Sequence, residues 1–251
     1  QDPPPGRGGG ATRNAIPLYS VGAHRIIHHL IPGTPVRTSA LRGLGALPNV
    51  FAIECALDEL AALQGRDALE YRLAITGDDR ARAILERVGA LAEWKARPIG
   101  GGEGLGIGMA RYKNTAAYAA VIAHVSVHEN VRVNKVWCVA DAGLVINPDG
   151  ARNQLEGGIV QAISWTLKEQ VRFEERGIAS LDWEGYPILR FSEVPEIEAE
   201  LVERPHEPSL GVGECTVGPT AAALGNAVAA ALGTRLYHMP FTRERMVREL
   251  G

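Results

Sequence analysis

A single carboxylate stands out in the stretch "SLGVGECTVGPTAAALGNAVAAALG", residues 209–233. Glu214 directly follows a Gly-Val-Gly turn and lies shortly before a predicted helix rich in small residues. Such a carboxylate can be a loop residue stabilised by the N-terminal dipole of that helix. It can also be a general base whose proton affinity is tuned by partial burial. The residues by themselves favour the first interpretation, and both stay open.

A group of uncharged amides forms a second candidate site in "INPDGARNQLEGGIVQAI", residues 146–163. Amides donate and accept hydrogen bonds without carrying charge, which suits a polar or anionic cofactor held at a helix N-terminus. Glycines beside them would allow a ligand or another backbone to come close. Helix capping and a tight helix crossing explain the same residues equally well. The residues concerned are Asn147, Asn153, Gln154, Gln161, Gly157 and Gly158.

The glycine run at 100–108 is not predicted to bind a nucleotide. A dinucleotide site needs a strand before the glycines and a helix after them, and a phosphate loop ends in Gly-Lys-Ser/Thr. Here a strand pattern follows the glycines and no such lysine closes the run. The stretch therefore predicts a loop ahead of a strand.

Histidines and cysteines give no local metal site. His24 and His28 are four residues apart, a spacing that could place two ligands on one helix face, but HExxH is absent and no third ligand follows. These histidines, with the adjacent His29, are better explained by a surface or intersubunit contact. The chain has three cysteines, far apart and without CxxC spacing, so neither zinc nor an iron–sulfur cluster is expected on this chain alone.

Composition limits the class of protein. With 26 basic and 29 acidic residues in 251, the net charge is −3, and without a basic cluster a nucleic-acid partner is not expected. Apolar residues make up 46%, as in a globular protein. No apolar run is long enough to span a bilayer and no secretory signal opens the chain. We therefore expect a cytoplasmic location, with a periplasmic or membrane-associated complex still compatible.

The elements that must position these residues follow from periodicity. Helices are predicted over about 51–63, from near Asp67, and from Asp78-Asp79 to about Arg97. A β-hairpin is predicted from 116–127 and 131–141, then a long helix after "NPDG", a strand at 196–203, and helices at about 219–232 and 243–250. The order predicts an α+β fold. We divide it into a flexible lead-in (1–15), a helical part (16–99) and an α+β part (100–251).

Five stretches, taken in order, resemble one family. They are "RTSALRGLGALPNVFAIECALDELA", "GIGMARYKNTAAYAAV", "ADAGLVINPDGARNQLEGGIVQAISWTLKE", "YPILRFSEVPEIEAEL" and "GVGECTVGPTAAALGNAVAAALG". The chain resembles the C-terminal half of the molybdopterin-binding domain of the aldehyde oxidase and xanthine dehydrogenase family, and above all the nicotinate dehydrogenase and isoquinoline oxidoreductase types. The likeness covers about residues 12–245.

The resemblance implies roles for individual residues. Glu214 would be the base beside molybdenum, in hydroxylation of an N-heteroaromatic compound or an aldehyde with oxygen from water. Arg42 would lie in the Arg-Gly-x-Gly loop at the metal, and Gln154 would contact the pterin. Gly213 and Cys215 flank the base, and Gly157 belongs to the glycine pair. The chain departs from the family at Leu44, where Phe is frequent, and at Cys215, where Pro or Ala is frequent; the loss of an aromatic at Leu44 leaves the substrate class open.

The resemblance also implies partners. The cofactor would be molybdenum–molybdopterin cytosine dinucleotide, shared with a chain that supplies the N-terminal half of the molybdopterin subunit. A separate [2Fe-2S] subunit and a flavin or cytochrome subunit would carry electrons away from the small-molecule substrate. The chain alone is not expected to turn over. The alternative is a non-catalytic fragment that keeps this fold and serves only in assembly.

Overall fold

The helices ahead of the first strand follow the sequence prediction. The computed structural model describes residues 10–29, 31, 33–36, 39–97, 99–175 and 177–251. Within them lie α1 (Ala46–Leu63), α2 (Ala68–Ile75) and α3 (Asp79–Leu91). The carboxylates of Asp67 and Asp78 accept hydrogen bonds from the first backbone N–H groups of α2 and α3, and so cap these helices. Helix α3 ends six residues before the predicted Arg97, since Glu93 has a left-handed φ of 52°.

The central sheet has the strand order β1-β2-β3-β6 in the described part of the chain. Its strands are β1 (Glu103–Arg111), β2 (Tyr118–Val127), β3 (Val131–Asp141) and β6 (Glu196–Val202). The predicted hairpin of β2 and β3 is confirmed, and β1 also pairs antiparallel with β2. Strand β6 runs parallel to β3, which requires a crossover. Helix α4 (Pro148–Leu167) and the short strands β4 (Phe173–Glu174) and β5 (Gly177–Ile178) lie in that crossover.

The prediction of a loop at residues 100–108 is wrong for most of the run, because β1 begins at Glu103. Gly104, Gly106 and Gly108 alternate along the strand and face helix α5 (Val217–Leu232). A Cβ added at Gly106 would lie 2.1 Å from the backbone nitrogen of Ala227. Glycine is therefore needed here for close packing of helix on strand, and neither a turn nor a phosphate requires it.

Helices cover both faces of the sheet. One face packs against α4 and α5, through residues such as Val121, Val136, Ile159 and Leu224. The opposite face packs against α2 and α3, through residues such as Leu85, Ile107, Ile122 and Trp137. Helix α5 is buried on all sides from Val217 to Val228, and its small side chains let β1, α1 and α4 approach closely. The predicted α+β fold is confirmed.

Residues 10–15 are tied to the rest of the chain, contrary to the flexible lead-in predicted for 1–15. The Asn14 amide donates to the Arg111 carbonyl at 2.8 Å and accepts from the Lys113 N–H at 2.9 Å. The Asn49 amide of α1 donates to the carbonyls of Ala11 and Arg13. These contacts hold the segment against α1 and the end of β1. Residues 1–9 lie outside the described residues.

The histidine segment is not a helix. His24, His28 and His29 are exposed and lie outside any helix or strand, so the helix-face spacing considered for them does not occur. Among the residues described, no group of three metal-ligating side chains is found. No helix in the described ranges is sufficiently long and apolar to traverse a bilayer. Helix α6 (Arg243–Leu250) begins after Thr242, whose hydroxyl accepts from the Arg245 N–H.

We expect Gly106→Ala to destabilise the fold by about 3 kcal/mol or more, because the new methyl overlaps the α5 backbone, which cannot move without disturbing the core. Urea unfolding followed by circular dichroism measures the change. Gly101→Ala is the matched control, since a Cβ there meets nothing within 4 Å. Equal stability of the two variants would contradict the packing described for β1 and α5.

Candidate functional site

The carboxylate of Glu214 lies against the loop that leads into α1. The backbone N–H of Gly43 donates a hydrogen bond to Oε1 of Glu214 at 2.9 Å. Gly43 has a φ of 90° and Leu44 has a φ of 50°, so the chain turns sharply at these two residues and exposes the N–H group. A side chain at position 43 would be strained in this conformation. The left-handed backbone at this site therefore lies in the loop at 42–45, and neither Gly211 nor Gly213 has a left-handed φ.

Arg42 joins three separate parts of the chain. Its Nε donates to the Gly213 carbonyl at 2.5 Å, and its Nη2 donates to the carbonyl and to Oε1 of Gln154 at 3.0 and 3.1 Å. Its Nη1 donates to Oε1 of Gln161 at 3.3 Å. A planar guanidinium can bind several acceptors at once in fixed directions. Arg42 thus holds the residue before the base and helix α4 in one arrangement.

The glycine pair on α4 lies directly under Arg42. At Gly157, which is exposed, an added Cβ would have Nη1 of Arg42 as its neighbour at 3.8 Å. At Gly158, which is buried, an added Cβ would lie 2.2 Å from the Thr216 hydroxyl, and that hydroxyl donates to the Leu155 carbonyl. Gly158 therefore serves a tight crossing of α4 with the start of α5. Gly157 leaves open surface beside the guanidinium.

Two of the predicted amides have structural roles. The Asn147 side chain accepts from the Gly150 N–H at 2.9 Å and caps α4, while Asn153 contacts only Asp149 on its own helix. Gln154 and Gln161 are the amides that reach the site through Arg42. Oε1 of Gln154 accepts a hydrogen bond from Arg42, and the Gln154 residue is exposed.

Cys215 does not present its thiol to the site. The side chain is 1% exposed and lies in a cluster with Tyr112, Leu155 and several alanines. Burial raises the pKa of this thiol to about 12, so it stays protonated. Any contact of Cys215 with a cofactor would have to use its backbone. Gly213, its neighbour across the base, is exposed and gives its carbonyl to Arg42.

The electrostatic surroundings keep Glu214 ionised. Burial alone would raise the pKa of Glu214, but the Gly43 N–H, the Tyr112 hydroxyl and the charges of Lys113 and Arg13 outweigh it, so the pKa lies below its usual value. A carboxylate that is charged, half-buried and hydrogen-bonded can accept a proton from a reactant placed beside it.

Sequence reasoning did not find Tyr112 and Arg13. Both come from parts of the chain distant from Glu214, and neither belongs to a spacing that indicates a carboxylate partner. Tyr112 lies inside one of the five stretches that carry the family resemblance, but only the folded chain brings it to the base.

A cavity of about 220 Å³ opens beside the site. Its walls come from the loop after β3, the first turn of α4 and the segment ahead of Glu214, and include Leu144, Ile146, Asn147, Gln154, Gly211 and Val212. The loop after β3 is anchored because Asp141 accepts hydrogen bonds from Arg80, Arg204 and the Gly143 N–H. The cavity therefore has a fixed wall and an exposed rim.

Comparisons with known proteins find relatives of this chain among molybdopterin-binding proteins. The profile of the molybdopterin cofactor-binding domain matches residues 82–195. A nicotinate dehydrogenase subunit from Pseudomonas putida is 40% identical over 95% of this chain and 22% of its own length. The beta subunit of isoquinoline 1-oxidoreductase from Brevundimonas diminuta is 32% identical over 92% of this chain and 29% of its own length.

Solved structures show the same fold. Quinoline 2-oxidoreductase from Pseudomonas putida 86 has a TM-score of 0.73 at 15% identity, over 83% of this chain and 52% of that one. Aldehyde oxidoreductase from Desulfovibrio gigas has a TM-score of 0.71 at 16% identity, over 84% of this chain and 41% of that one.

Residues 82–195 match a molybdopterin cofactor-binding domain, and the chain resembles subunits of molybdenum hydroxylases over most of its length. It is related to the nicotinate dehydrogenase and isoquinoline 1-oxidoreductase subunits, and it spans less than a third of the length of either.

The residues present fit a molybdopterin cofactor. Pterin is a flat heterocycle with several hydrogen-bonding edges, and the exposed residue Gln154, whose Oε1 accepts from Arg42, offers an amide nitrogen as a donor. Gly157 adds an exposed surface without a side chain next to it. We name Gln154 and Gly157, with the backbone of Gly213 and Cys215, as the groups that could hold it.

We expect Arg42→Lys to loosen the segment 209–215, because an ammonium group on a flexible stem cannot replace a planar fork that binds four oxygens. Hydrogen–deuterium exchange should show faster exchange of these amides, equivalent to a loss of about 1–3 kcal/mol. Arg87→Lys is the control, since Arg87 forms an exposed pair with Glu200. Unchanged exchange at 209–215 would contradict the role assigned to Arg42.

Proposed function

We propose that this chain is the molybdopterin-binding component of a hydroxylase in which Glu214 is the general base. The proposal depends on the ionised carboxylate of Glu214, which accepts a hydrogen bond from the Gly43 N–H. The residue before it, Gly213, is bound through its carbonyl to Arg42, and Arg42 also orients Gln154. The proposed base, through its neighbour Gly213, and the proposed cofactor-binding amide of Gln154 are therefore both positioned by the Arg42 guanidinium.

The chain's own residues would bind, orient and accept a proton. Molybdenum–molybdopterin, when bound, supplies activated oxygen from water and accepts two electrons from the substrate. Gln154 and Gly157 would hold the pterin on one side of the site. Glu214 would take the proton from the attacking oxygen, since the Gly43 N–H holds one of its carboxylate oxygens in place.

The substrate class that we propose is an N-heteroaromatic compound, with an aldehyde as the second candidate. The names of the two curated relatives indicate nicotinate and isoquinoline as their substrates. The cavity beside Gln154 is lined by apolar residues such as Leu144 and Ile146 and by the polar Asn147, a mixture that suits a flat ring with one heteroatom. Leu44 directly follows Gly43, the residue that donates to the base, and offers no aromatic face.

We further propose that the enzyme is heteromeric. The remaining part of the molybdopterin subunit, a [2Fe-2S] subunit and a flavin or cytochrome subunit would complete it, with the cofactor in its cytosine dinucleotide form. Large apolar side chains lie exposed between β3 and β6, among them Leu181 (84%), Trp183 (75%) and Phe191 (100%), and we propose that another subunit covers them. The cysteines are buried and free, in keeping with a cytoplasmic location.

The alternative is a fragment that serves only in assembly. A structural carboxylate can have partners of the same kind, as Asp141 does with Arg80, Arg204 and the Gly143 N–H. Molybdenum and pterin analysis of the purified complex separates the two candidates.

We expect Glu214→Gln to leave folding and molybdenum content unchanged and to lower kcat by about 10²–10⁴-fold, because the amide keeps the size of the base and cannot accept the proton. The assay is turnover of the assembled complex, normalised to its molybdenum.

Glu203→Gln is the matched control for this variant, since Glu203 is exposed in the segment after β6. Near-normal turnover of Glu214→Gln at full molybdenum loading would show that Glu214 is a structural carboxylate, and the proposed reaction would then be wrong.

We expect Gln154→Ala to weaken cofactor retention by about 1–3 kcal/mol, the effect of one lost amide partner. The fold should persist, because Arg42 keeps its contact with the Gln154 backbone carbonyl. Molybdenum per complex after dialysis is the measurement. Asn153→Ala, one residue away and bonded only to Asp149, should retain the metal, and equal retention in both variants would return Gln154 to a structural role.

A further inference from the structure

Two loops of the proposed site leave the sheet side by side. Strands β3 and β6 are parallel neighbours whose last residues pair in register, and the last residue of β3 is Asp141. The β3 loop (residues 142–147) leads to α4, which carries Gln154, and the β6 loop (residues 203–213) leads to Glu214. Both loops line the cavity of about 220 Å³. The contacts that join the two loops therefore determine the shape of that cavity.

The carboxylate of Asp141 joins the two loops. It is fully buried, and its two oxygens can accept about four hydrogen bonds. Arg80 donates to Oδ2 through Nε at 2.9 Å and to Oδ1 through Nη2. Arg204 of the β6 loop donates to Oδ2 through Nε, and the Gly143 N–H of the β3 loop donates to Oδ1 at 3.0 Å. Each oxygen thus binds two donors, and the carboxylate is saturated.

The two loops also contact each other through their backbones. The Leu144 N–H donates to the Glu207 carbonyl at 3.0 Å, and the Leu210 N–H donates to the Ala142 carbonyl at 2.8 Å. Gly143 has a φ of 65°, and an added Cβ there would lie 2.0 Å from a carbonyl oxygen of the β6 loop. Because the N–H of Gly143 is itself bound to the buried carboxylate, that carboxylate fixes the point where the loops come so close.

The charges around Asp141 are balanced only while its carboxylate is present. Arg80 and Arg204 bring two positive charges to it, and Nη1 of Arg80 lies 3.6 Å from Oε2 of the half-exposed Glu207. Arg80 belongs to α3, and its guanidinium lies 5.0 Å from the ring centroid of Tyr118. Loss of the Asp141 charge would leave two guanidinium groups close together with one half-exposed carboxylate nearby, and like charges repel.

We propose that Asp141 is a positioning residue that holds the β3 and β6 loops together and thereby sets the shape of the substrate cavity. This inference rests on the proposed function, in which the cavity receives the heteroaromatic substrate. The base has supports of its own, because the Gly43 N–H holds Glu214 and Arg42 holds Gly213. Loss of the Asp141 contacts should therefore weaken substrate binding more than it slows proton transfer, and KM should change more than kcat.

The test compares Asp141→Asn with Glu200→Gln in the assembled complex. Asparagine keeps the size of the side chain, but it places an amide donor where two of the four donors now bind. Glu200 on β6 is the matched control, because it also accepts hydrogen bonds from an arginine of α3, Arg87, and lies outside both loops. The measurements are hydrogen–deuterium exchange of the two loops, and KM and kcat per bound molybdenum.

We expect Asp141→Asn to speed exchange in both loops about tenfold and to raise KM about tenfold, with kcat within about threefold of the parent complex. Partial unfolding alone would reduce the active fraction and leave KM unchanged. Arg204→Gln keeps the carboxylate and changes a partly exposed side chain, so it provides the test if Asp141→Asn does not fold. It should move exchange and KM in the same direction, and Arg204→Lys, which retains a charged donor, should recover part of the loss. Glu200→Gln should match the parent complex.

An unchanged KM in both Asp141→Asn and Arg204→Gln would overturn the inference, whether or not the loops exchange faster, because the cavity would then not depend on these contacts. A raised KM without faster exchange would overturn it as well, since the substrate would then respond to the charge of Asp141 and not to the position of the loops. Near-normal turnover of Glu214→Gln would remove the proposed base and would leave the effect of Asp141→Asn on KM in place. The two proposals therefore fail in distinguishable ways.

Discussion

The guanidinium of Arg42 is the interaction on which the site depends. It reaches the Gly213 carbonyl, both oxygens of Gln154 and the side chain of Gln161, so the loop before α1, helix α4 and the segment before α5 meet at one group. Because the guanidinium is planar and always charged, these contacts have fixed directions. Because Glu214 directly follows Gly213, these contacts also determine where its carboxylate lies.

The packing of α5 on β1 sets how close these parts can come. Alternating glycines on β1 and small residues on α5 allow backbone to approach backbone, and Asn226 of α5 donates to the Ile107 carbonyl within the same contact. Gly158 likewise allows α4 to lie close to the start of α5 where the two helices cross. A helix held this closely from several sides is rigid at its N-terminus, where the base lies.

Sequence reasoning was accurate where structure is local. The helices capped by Asp67, Asp78 and Thr242, the hairpin of β2 and β3, and the buried face of α4 all follow from short-range periodicity and side-chain caps. It failed for the glycines of β1, because the reason for glycine there is a helix more than 100 residues away in sequence. The assignment of Cys215 to the cofactor stays a prediction that concerns its backbone, since its thiol lies in the core.

The sequence by itself determined the fold class, the family resemblance and the candidates Glu214, Arg42 and Gln154, since ordered motifs and periodicity are properties of the chain. Only the tertiary structure decided what these residues do to one another. Arg42 and Gly213 are 171 positions apart, and Arg13 and Tyr112 are 99 positions apart. Such contacts depend on how helices and strands pack, which no spacing along the chain records. The environment that keeps Glu214 charged therefore exists only in the folded protein.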